Sequence, residues 1–278
     1  MKRIMDKRKR SRKWIKWPVL ALVLLAVCDP RLMVSHYEVD AENVQGSIRL
    51  ALVTDLHSCW YGKGQGRLLR ALEKEQPDAV LLVGDIFDDV QGNENARLFL
   101  EGAAEQYPCY YVTGNHEYWS EDEKLQQMMD ILSACGIPNL SGKSEVLSVR
   151  GESITLLGVD DPDNRQGLSV ETQLSLMQHE KTPGQYTVLL SHRPSLFDVY
   201  CSYGFDLVLS GHAHGGQWRI PGLIDGLFAP DEGFLPDYAG GRYEREGTCM
   251  IVSRGLARES TLLPRIFNRP ELVMVEIR

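Results

Sequence analysis

The chain has 278 residues, of which 43% are hydrophobic and 24% charged, a composition that is typical of a globular protein and excludes a disordered or fibrous one. Its net charge is −8, although residues 1–16 hold nine Lys or Arg and a single acid, so the remainder is strongly acidic. An acidic body disfavours nucleic acid as a partner, because phosphate backbones require a basic surface. Six scattered cysteines without a C-x-x-C pair indicate neither a zinc finger nor a disulfide framework.

The basic N-terminus runs into the apolar stretch W-P-V-L-A-L-V-L-L-A-V-C at 17–28. Twelve uncharged residues behind a cationic flank suit a signal segment better than a full membrane span, which needs about 20 residues. We predict that 1–28 form a single N-terminal membrane anchor or signal segment, that 29–47 form a linker with an irregular lead-in strand, and that the globular domain covers 48–278. The cationic flank should stay in the cytoplasm, which places the domain outside the membrane. The alternative is a basic tail followed by a buried helix.

The first half of the domain alternates strands with helices. Predicted strands lie at 48–54, 79–83 and 109–112, and predicted helices at 67–75, 95–106 and 121–134. This is the βαβ alternation of a parallel sheet with crossover helices. The second half is predicted to contain a hairpin at 146–149 and 154–159, a helix at 173–179, and strands at 186–190, 207–209, 249–252 and 272–277. Two facing mixed sheets with helices outside accommodate this order.

Five of the predicted strands end in side chains that commonly bind metals, and these positions hold five of the seven histidines. The residues are Asp55 and His57, Asp85 and Asp88, Asn115 and His116, His192, and His212 with His214. Ligand sites of open α/β sheets form at the carboxyl ends of strands. A D-x-H or H-x-H pair on an extended segment would place both side chains on one face. We therefore expect these residues to meet in one cleft.

The mixture of carboxylate, imidazole and amide donors favours Mn²⁺, Fe²⁺ or Zn²⁺ over an all-oxygen site for Mg²⁺ or Ca²⁺. A carboxylate between two cations can bridge them at the separation of about 3.5–4 Å that is typical of two-metal hydrolases. The pattern thus predicts two divalent transition-metal ions.

The motifs D-L-H (55–57), G-D-I-F-D-D (84–89), G-N-H-E (114–117), S-H (191–192) and G-H-A-H (211–214) resemble those of the calcineurin-like metallophosphoesterases in order and spacing. The resemblance covers 48–278 and implies a four-layer αββα sandwich of two mixed sheets, that is, a metallophosphoesterase catalytic domain. It implies one metal held by Asp55, His57, Asp85 and His214, and a second held by Asp85, Asn115, His192 and His212. Asp85 would bridge the two metals. His116 would contact the phosphate and protonate the leaving group, and Asp88 would orient it.

Two further stretches, G-H-A-H-G-G-Q-W-R-I-P (211–221) and S-R-G-L-A (253–257) with L-P-R-I-F-N-R-P-E (263–271), resemble a bacterial membrane-associated branch of phosphodiesterases. This resemblance implies hydrolysis of a phosphodiester or pyrophosphate bond by a hydroxide bridging two metals. With the predicted anchor, it makes a lipid-linked or envelope substrate at the bacterial cell membrane attractive. The alternatives are a phosphomonoesterase or nuclease of the same fold, or a metal-bound scaffold without activity.

One residue departs from the family pattern. Protein phosphatases of the family carry an Arg where this chain has Asp89, which argues against protein phosphatase activity. Arg254 is a candidate to supply the missing cation, or else it forms a structural salt bridge. Five aromatic residues close to the motifs either rim the cleft or serve in packing: Trp60, Tyr61, Tyr118, Trp119 and Trp218.

Overall fold

Strands with apolar residues on both faces build the centre of the molecule. The computed structural model describes residues 17–18, 27–164, 166–229, 232–258 and 264–278. The first sheet contains, in spatial order, β1 (Met33–Val39), β13 (Glu271–Ile277), β2 (Ile48–Val53), β3 (Ala79–Val83) and β4 (Cys109–Val112). The second contains β11 (Gly241–Arg245), β12 (Thr248–Val252), β8 (Leu207–Ser210), β7 (Tyr186–Leu190), β6 (Glu152–Gly158) and β5 (Lys143–Val149). A separate hairpin joins β9 (Phe228–Ala229) to β10 (Gly233–Phe234).

Both sheets are mixed, and parallel pairing brings the functional strand ends to common edges. In the first sheet β2, β3 and β4 run parallel, while β13 pairs antiparallel with β2. In the second sheet β6, β7, β8 and β12 run parallel, with antiparallel strands at both edges. The carboxyl ends of the parallel strands therefore collect the loops that follow them, as expected for an α/β ligand site.

Alternating side chains on the strands create three apolar layers. Leu50 and Leu52 of β2 join residues of the second sheet in the central core, whereas Ala51 and Val53 pack on the other face of the first sheet. That outer face is covered by α1 (Gly66–Glu75), α2 (Glu94–Ala104) and α4 (Asp122–Ala134). The outer face of the second sheet is covered by α5 (Val170–Met177) and α6 (Phe197–Ser202). Three apolar interfaces between four layers form the predicted αββα sandwich of two mixed sheets.

The chain also forms elements that the sequence pattern did not predict. A short helix, α3 (Asn115–Trp119), begins inside the G-N-H-E motif, and α6 and β9–β11 lie where no element was predicted. All six cysteines are free thiols, which agrees with the absence of a disulfide pattern.

The predicted linker at 29–47 requires correction, because it contains a regular strand of the fold. Strand β1 pairs in parallel with β13 along its whole length. Val39 lies in the core between the sheets, and Val34 packs against the outer core of the first sheet. The pattern of β1 was hard to recognise because most of its side chains are only partly buried, as is typical of an edge strand.

Most of the predicted N-terminal anchor lies outside the described residues, since 1–16 and 19–26 are not among them. Within the part of the chain that the structure describes, no helix combines the length and the apolar character needed to cross a membrane.

The placement of β1 predicts that a chain beginning at Arg31 is more stable than one beginning at Ala41. Removal of β1 exposes the edge of β13 and the apolar faces that Val34 and Val39 cover. We expect the free energy of unfolding to fall by more than about 2 kcal/mol, since burial of one Val is worth about 1.5–3 kcal/mol. Urea denaturation of both chains measures the difference, and equal midpoints would contradict the assignment of β1 to the fold.

Candidate metal centre

The seven predicted ligands come from the loops that follow five strands, and all of them are buried. Asp55 and His57 follow β2, Asp85 follows β3, and Asn115 begins α3 directly after β4. His192 follows β7, and His212 and His214 follow β8. The backbone N–H of His57 donates to the carbonyl of Asp85, and that of His212 donates to the carboxylate of Asp55 at 3.0 Å. These bonds connect the loops within the first sheet and across the two sheets.

The ligands converge through left-handed turns, which corrects the expectation that an extended segment would align them. The strands end at Val53, Val83 and Ser210, before the ligands begin. Positive φ angles of 47–66° occur at five of the seven ligands, namely Asp55, His57, Asp85, His212 and His214. A non-glycine residue in this region is uncommon, and such residues concentrate at functional sites where surrounding structure enforces them.

Two groups of donor atoms that share Asp85 form in this space, and a third group combines His57 with Asp88 and His116. The donors of Asp55, His57, Asp85 and His214 lie within 4.8 Å of one another. The donors of Asp85, His192 and His212 form a second such group. The first group contains all four residues of one implied ligand set, and the second contains three of the four residues of the other, without Asn115. Asp85 belongs to both groups, as a bridging ligand must.

Four buried atoms of the site have no hydrogen-bond partner in the described structure, and each comes from a different loop. They are Nε2 of His57, Oδ2 of Asp85, Oδ1 of Asn115 and Nε2 of His192. The last lies 3.1 Å from Asp85 Oδ2, but without the geometry of a hydrogen bond. Buried polar atoms normally have a partner, so unsatisfied donors and acceptors converging on one space require an explanation. The set of carboxylate, imidazole and amide donors fits two divalent cations.

Burial and neighbouring charges shift the pKa values of the buried site residues in opposite directions. Burial by itself would raise the pKa of Asp85, but His192 and His57 hold the pKa well below its usual value. Burial would lower the pKa of His192, yet Asp85 and Asp55 raise it to about 10. By contrast, burial together with His192 and Arg193 lowers the pKa of His212 to about 2, which keeps its imidazole neutral and able to bind a metal.

Contacts with residues outside the ligand set orient two of the histidines, so that their Nε2 atoms face the site. The carbonyl of Val83 accepts from Nδ1 of His192 at 2.9 Å, and Asp88 Oδ2 lies 3.1 Å from Nδ1 of His57. In both histidines Nε2 is thereby left to face the space between the ligands. Such outer partners fix the tautomer of metal-binding histidines and raise their basicity.

The expected pairing of His116 with Asp88 is corrected by the structure. The Nδ1 atom of His116 lies 2.6 Å from Asp89 Oδ1 and 3.9 Å from Asp88 Oδ2. Asp88 is engaged elsewhere, because it contacts His57 and accepts the backbone N–H groups of Val90 and Gln91. The local turn after G-D-I-F thus directs the first acid inward and the second one towards His116.

Glu117, the last residue of the G-N-H-E motif, has a role that the motif did not indicate. Its buried carboxylate accepts from the backbone N–H groups of Asp85 at 3.0 Å, Gly114 at 2.8 Å and Phe87 at 3.2 Å. Burial and the charge of Asp85 raise the pKa of Glu117 to about 7. Glu117 therefore holds the turn that presents Asp85. Its position three residues after Gly114, as in a capping box, was the available sequence signal.

The structure gives the roles of Arg254 and of two aromatic residues near the motifs. Arg254 donates to the buried carboxylate of Glu271 at 2.7 Å, so it forms a structural ion pair, the second of the two alternatives. Among the aromatic residues near the motifs, Tyr61 is buried, whereas the ring of Trp119 contacts that of His116 at a centroid distance of 4.7 Å.

Comparison with known proteins adds an independent line of evidence to this geometry. The family model described as calcineurin-like phosphoesterase matches residues 48–216. The chain belongs to the calcineurin-like phosphoesterase family. It is 32% identical over 217 residues to an uncharacterized metallophosphoesterase of Aquifex aeolicus, covering 75% of this chain and 76% of the relative. It is 29% identical over 210 residues to phosphodiesterase YaeI of Escherichia coli, covering 73% and 72%.

Other relatives of this calcineurin-like phosphoesterase are longer, and the chain spans only 63%, 47% and 55% of three of them. The solved structure of TT1561 from Thermus thermophilus has the same fold, with a TM-score of 0.51, 13% sequence identity, and coverage of 77% of this chain and 92% of that one. The family and the buried cluster of His and Asp residues identify the chain as a metal-dependent hydrolase of phosphoric esters.

The position of Gly114 predicts that Gly114→Ala weakens metal binding at least tenfold. An added Cβ would lie 2.3 Å from Asp85 Oδ1, so the residue common to both groups must move. The φ of −118° at Gly114 is permitted for Ala, so the effect is steric. Gly92→Ala is the control, since no atom lies within 4 Å of its Cβ. Elemental analysis after dialysis against graded metal concentrations measures the change, and equal metal content in both variants would contradict this assignment.

Proposed function

We propose that this chain is a phosphodiesterase that uses two divalent transition-metal ions, with His116 as the group that protonates the leaving alcohol. The observation that carries this proposal is the contact of 2.6 Å between His116 and Asp89. It places a carboxylate at the position where protein phosphatases of the family carry an arginine. The phosphodiesterase name of the relative from Escherichia coli agrees with it.

An aspartate at position 89 favours a diester over a monoester more than an arginine at the same position would. A phosphate monoester carries close to two negative charges at neutral pH, whereas a diester carries one. The carboxylate of Asp89 beside His116 repels the dianion more strongly, since the energy of repulsion rises with the product of the charges. Arg254 is engaged with Glu271 and does not offset this repulsion.

The side chains divide the work of the reaction. Asp55, His57, Asp85 and His214 would hold one cation, and Asp85, Asn115, His192 and His212 the other. When bound, the pair of cations supplies an activated water and neutralises charge on the phosphoryl oxygens. His116, 21% of whose side chain is exposed, lies at the open side of the site. Because Asp89 holds its Nδ1, His116 is oriented to present Nε2 to the departing oxygen.

The sequence supports three further parts of the proposal: the identity of the metals, the attachment to a membrane and the class of substrate. The mixed nitrogen and oxygen donors support Mn²⁺, Fe²⁺ or Zn²⁺. The basic residues 1–16 and the apolar stretch at 17–28 support attachment to the bacterial cell membrane with the domain outside the cytoplasm. A lipid-linked or envelope diester would then be within reach. Protease access to the domain in intact cells tests this placement, which a fully protected domain would exclude.

If the protein prefers diesters, the purified protein with Mn²⁺ will hydrolyse bis(4-nitrophenyl) phosphate faster than 4-nitrophenyl phosphate. We expect kcat/KM for the diester to be at least tenfold higher than for the monoester. The expected cause is the repulsion between Asp89 and a dianionic substrate. Release of 4-nitrophenolate measures both rates, and Asp85→Asn serves as the inactive control. Faster turnover of the monoester would identify a phosphomonoesterase, and activity equal to that of Asp85→Asn would leave a binding scaffold.

Substitution of Asp88 and substitution of Asp89 should cause different defects. Asp89→Asn should lower kcat for an alkyl diester about 10–100-fold and that for the nitrophenyl diester much less, because nitrophenolate departs without a proton. Its metal content should not change. Asp88→Asn should instead weaken metal binding about 10–100-fold through His57. Kinetics with both substrates and metal titration separate the variants. If Asp88 orients His116, the two patterns will be exchanged.

A further inference from the structure

Two residues that line a cavity of about 770 Å³ contact residues of the metal centre. Trp119 forms one wall, and its ring leans against His116 with a centroid distance of 4.7 Å. Arg193 forms another wall, and its Nη1 lies 3.0 Å from Nε2 of His212. The volume falls in the range of about 300–1,000 Å³ that is usual for small-molecule sites. One wall residue of the cavity therefore contacts the proposed proton donor, and another contacts a proposed metal ligand.

A chain of hydrogen bonds fixes the inner end of this cavity. The indole N–H of Trp119 donates to Asp163 Oδ2 at 2.7 Å, and Arg193 Nη2 donates to the same oxygen at 3.2 Å. Arg193 also forms two bonds to the buried carboxylate of Asp161, at 2.7 and 3.1 Å. Trp119 is thus held in place although 48% of it is exposed. A preorganised aromatic face binds a ligand at a lower entropic cost than a mobile one.

The chemistry of the walls restricts what can bind. The face of Trp119 and the phenol of Tyr238 offer flat aromatic surfaces on which a ring can stack. The carboxylates of Asp163 and Asp237 accept hydrogen bonds from hydroxyl groups and repel an additional phosphate. The charge of Arg193 is already engaged by Asp161 and Asp163. A long acyl chain would desolvate these carboxylates without giving them a partner, which is costly.

We propose that this cavity binds the leaving group of the diester, and that this group is an uncharged ring bearing several hydroxyls, as in a nucleoside or a sugar. The inference rests on the proposed phosphodiesterase function, because Trp119 positions the ring next to His116, where the alcohol departs. Stacking on Trp119 and hydrogen bonds to Asp163 and Asp237 select the ring. Trp119 and Arg193 both donate to Asp163, and Arg193 contacts His212, so the wall that binds the ring is connected to the metal centre.

The kinetic test uses the Mn²⁺ enzyme and three methyl phosphodiesters, whose second group is uridine (through O5′), glucose (through O6) or n-butyl. Hydrolysis is followed by ³¹P NMR. We expect a kcat/KM about tenfold higher for at least one ring diester than for the n-butyl diester, since stacking of a base on an aromatic side chain commonly contributes that much or more. The preferred ring distinguishes a nucleoside from a sugar.

The test variant is Trp119→Ala, and the matched control is Trp60→Ala, because Trp60 is 49% exposed and lies outside the cavity. Trp119→Ala should raise KM for the preferred ring diester about tenfold more than it raises KM for the n-butyl diester. Trp60→Ala should change neither. If Trp119→Ala instead lowers kcat equally for all three diesters, Trp119 acts only on His116 and the proposed binding role is overturned.

A binding measurement separates this inference from the proposed function. Saturation-transfer NMR with uridine and with methyl glucoside, on protein without substrate, should detect contact that Trp119→Ala abolishes and Trp60→Ala retains. Contact without any diester hydrolysis supports the cavity assignment and refutes the phosphodiesterase proposal. Hydrolysis of all three diesters at similar rates, without such contact, overturns the cavity assignment alone.

Discussion

Two carboxylates, Asp55 and Asp85, lie in the interior of this protein beside buried imidazoles, and much of the surrounding structure serves to keep them there. Removing ionised groups from water carries a large free-energy cost unless charges or hydrogen bonds compensate for it. The sheets supply a rigid frame, and the loops at their carboxyl ends supply compensation through Thr54, the backbone of His212 and neighbouring histidines. The left-handed backbone at five ligands is sustained by the same frame. Two divalent cations would complete the compensation, and their binding would then contribute to the stability of this region.

The fold was predictable because its signals are local and repeated. The runs at β3 and β7 are apolar on both faces, as strands buried in a sandwich must be, and the carboxyl end of each strand is marked by a ligand. Parallel pairing then brings these ends together without further information. Edge strand β1 was read only as an irregular lead-in because its side chains are partly exposed and its pattern is weak. Strands with one face in solvent carry less information in their sequence than strands covered on both sides.

The ligand groups could be predicted from residue identity and spacing. The hydrogen bonds and ion pairs that surround the ligands could not. Asp88 and Asp89 are chemically identical neighbours, and only the direction of the turn decides which one meets His116. Similarly, the role of Glu117 depends on three backbone N–H groups from two separate loops. The chain of bonds from Trp119 through Asp163 to Arg193 joins residues 30 to 44 positions apart. Such contacts are set by tertiary packing, for which a single sequence has no periodic pattern.

The place of β13 in the first sheet has a consequence for biosynthesis. This strand, formed by residues 271–277, lies between β1 and β2, although it follows both of them by a long stretch of sequence. During translation β2, β3 and β4 emerge early, but one edge of β2 has no neighbour until residues 271–277 leave the ribosome. An unpaired strand edge invites association with other chains, which makes the nascent protein a natural client for chaperones. Residues 271–277 thus act as a closing strand, and their arrival completes the sheet whose strands precede four of the seven proposed metal ligands.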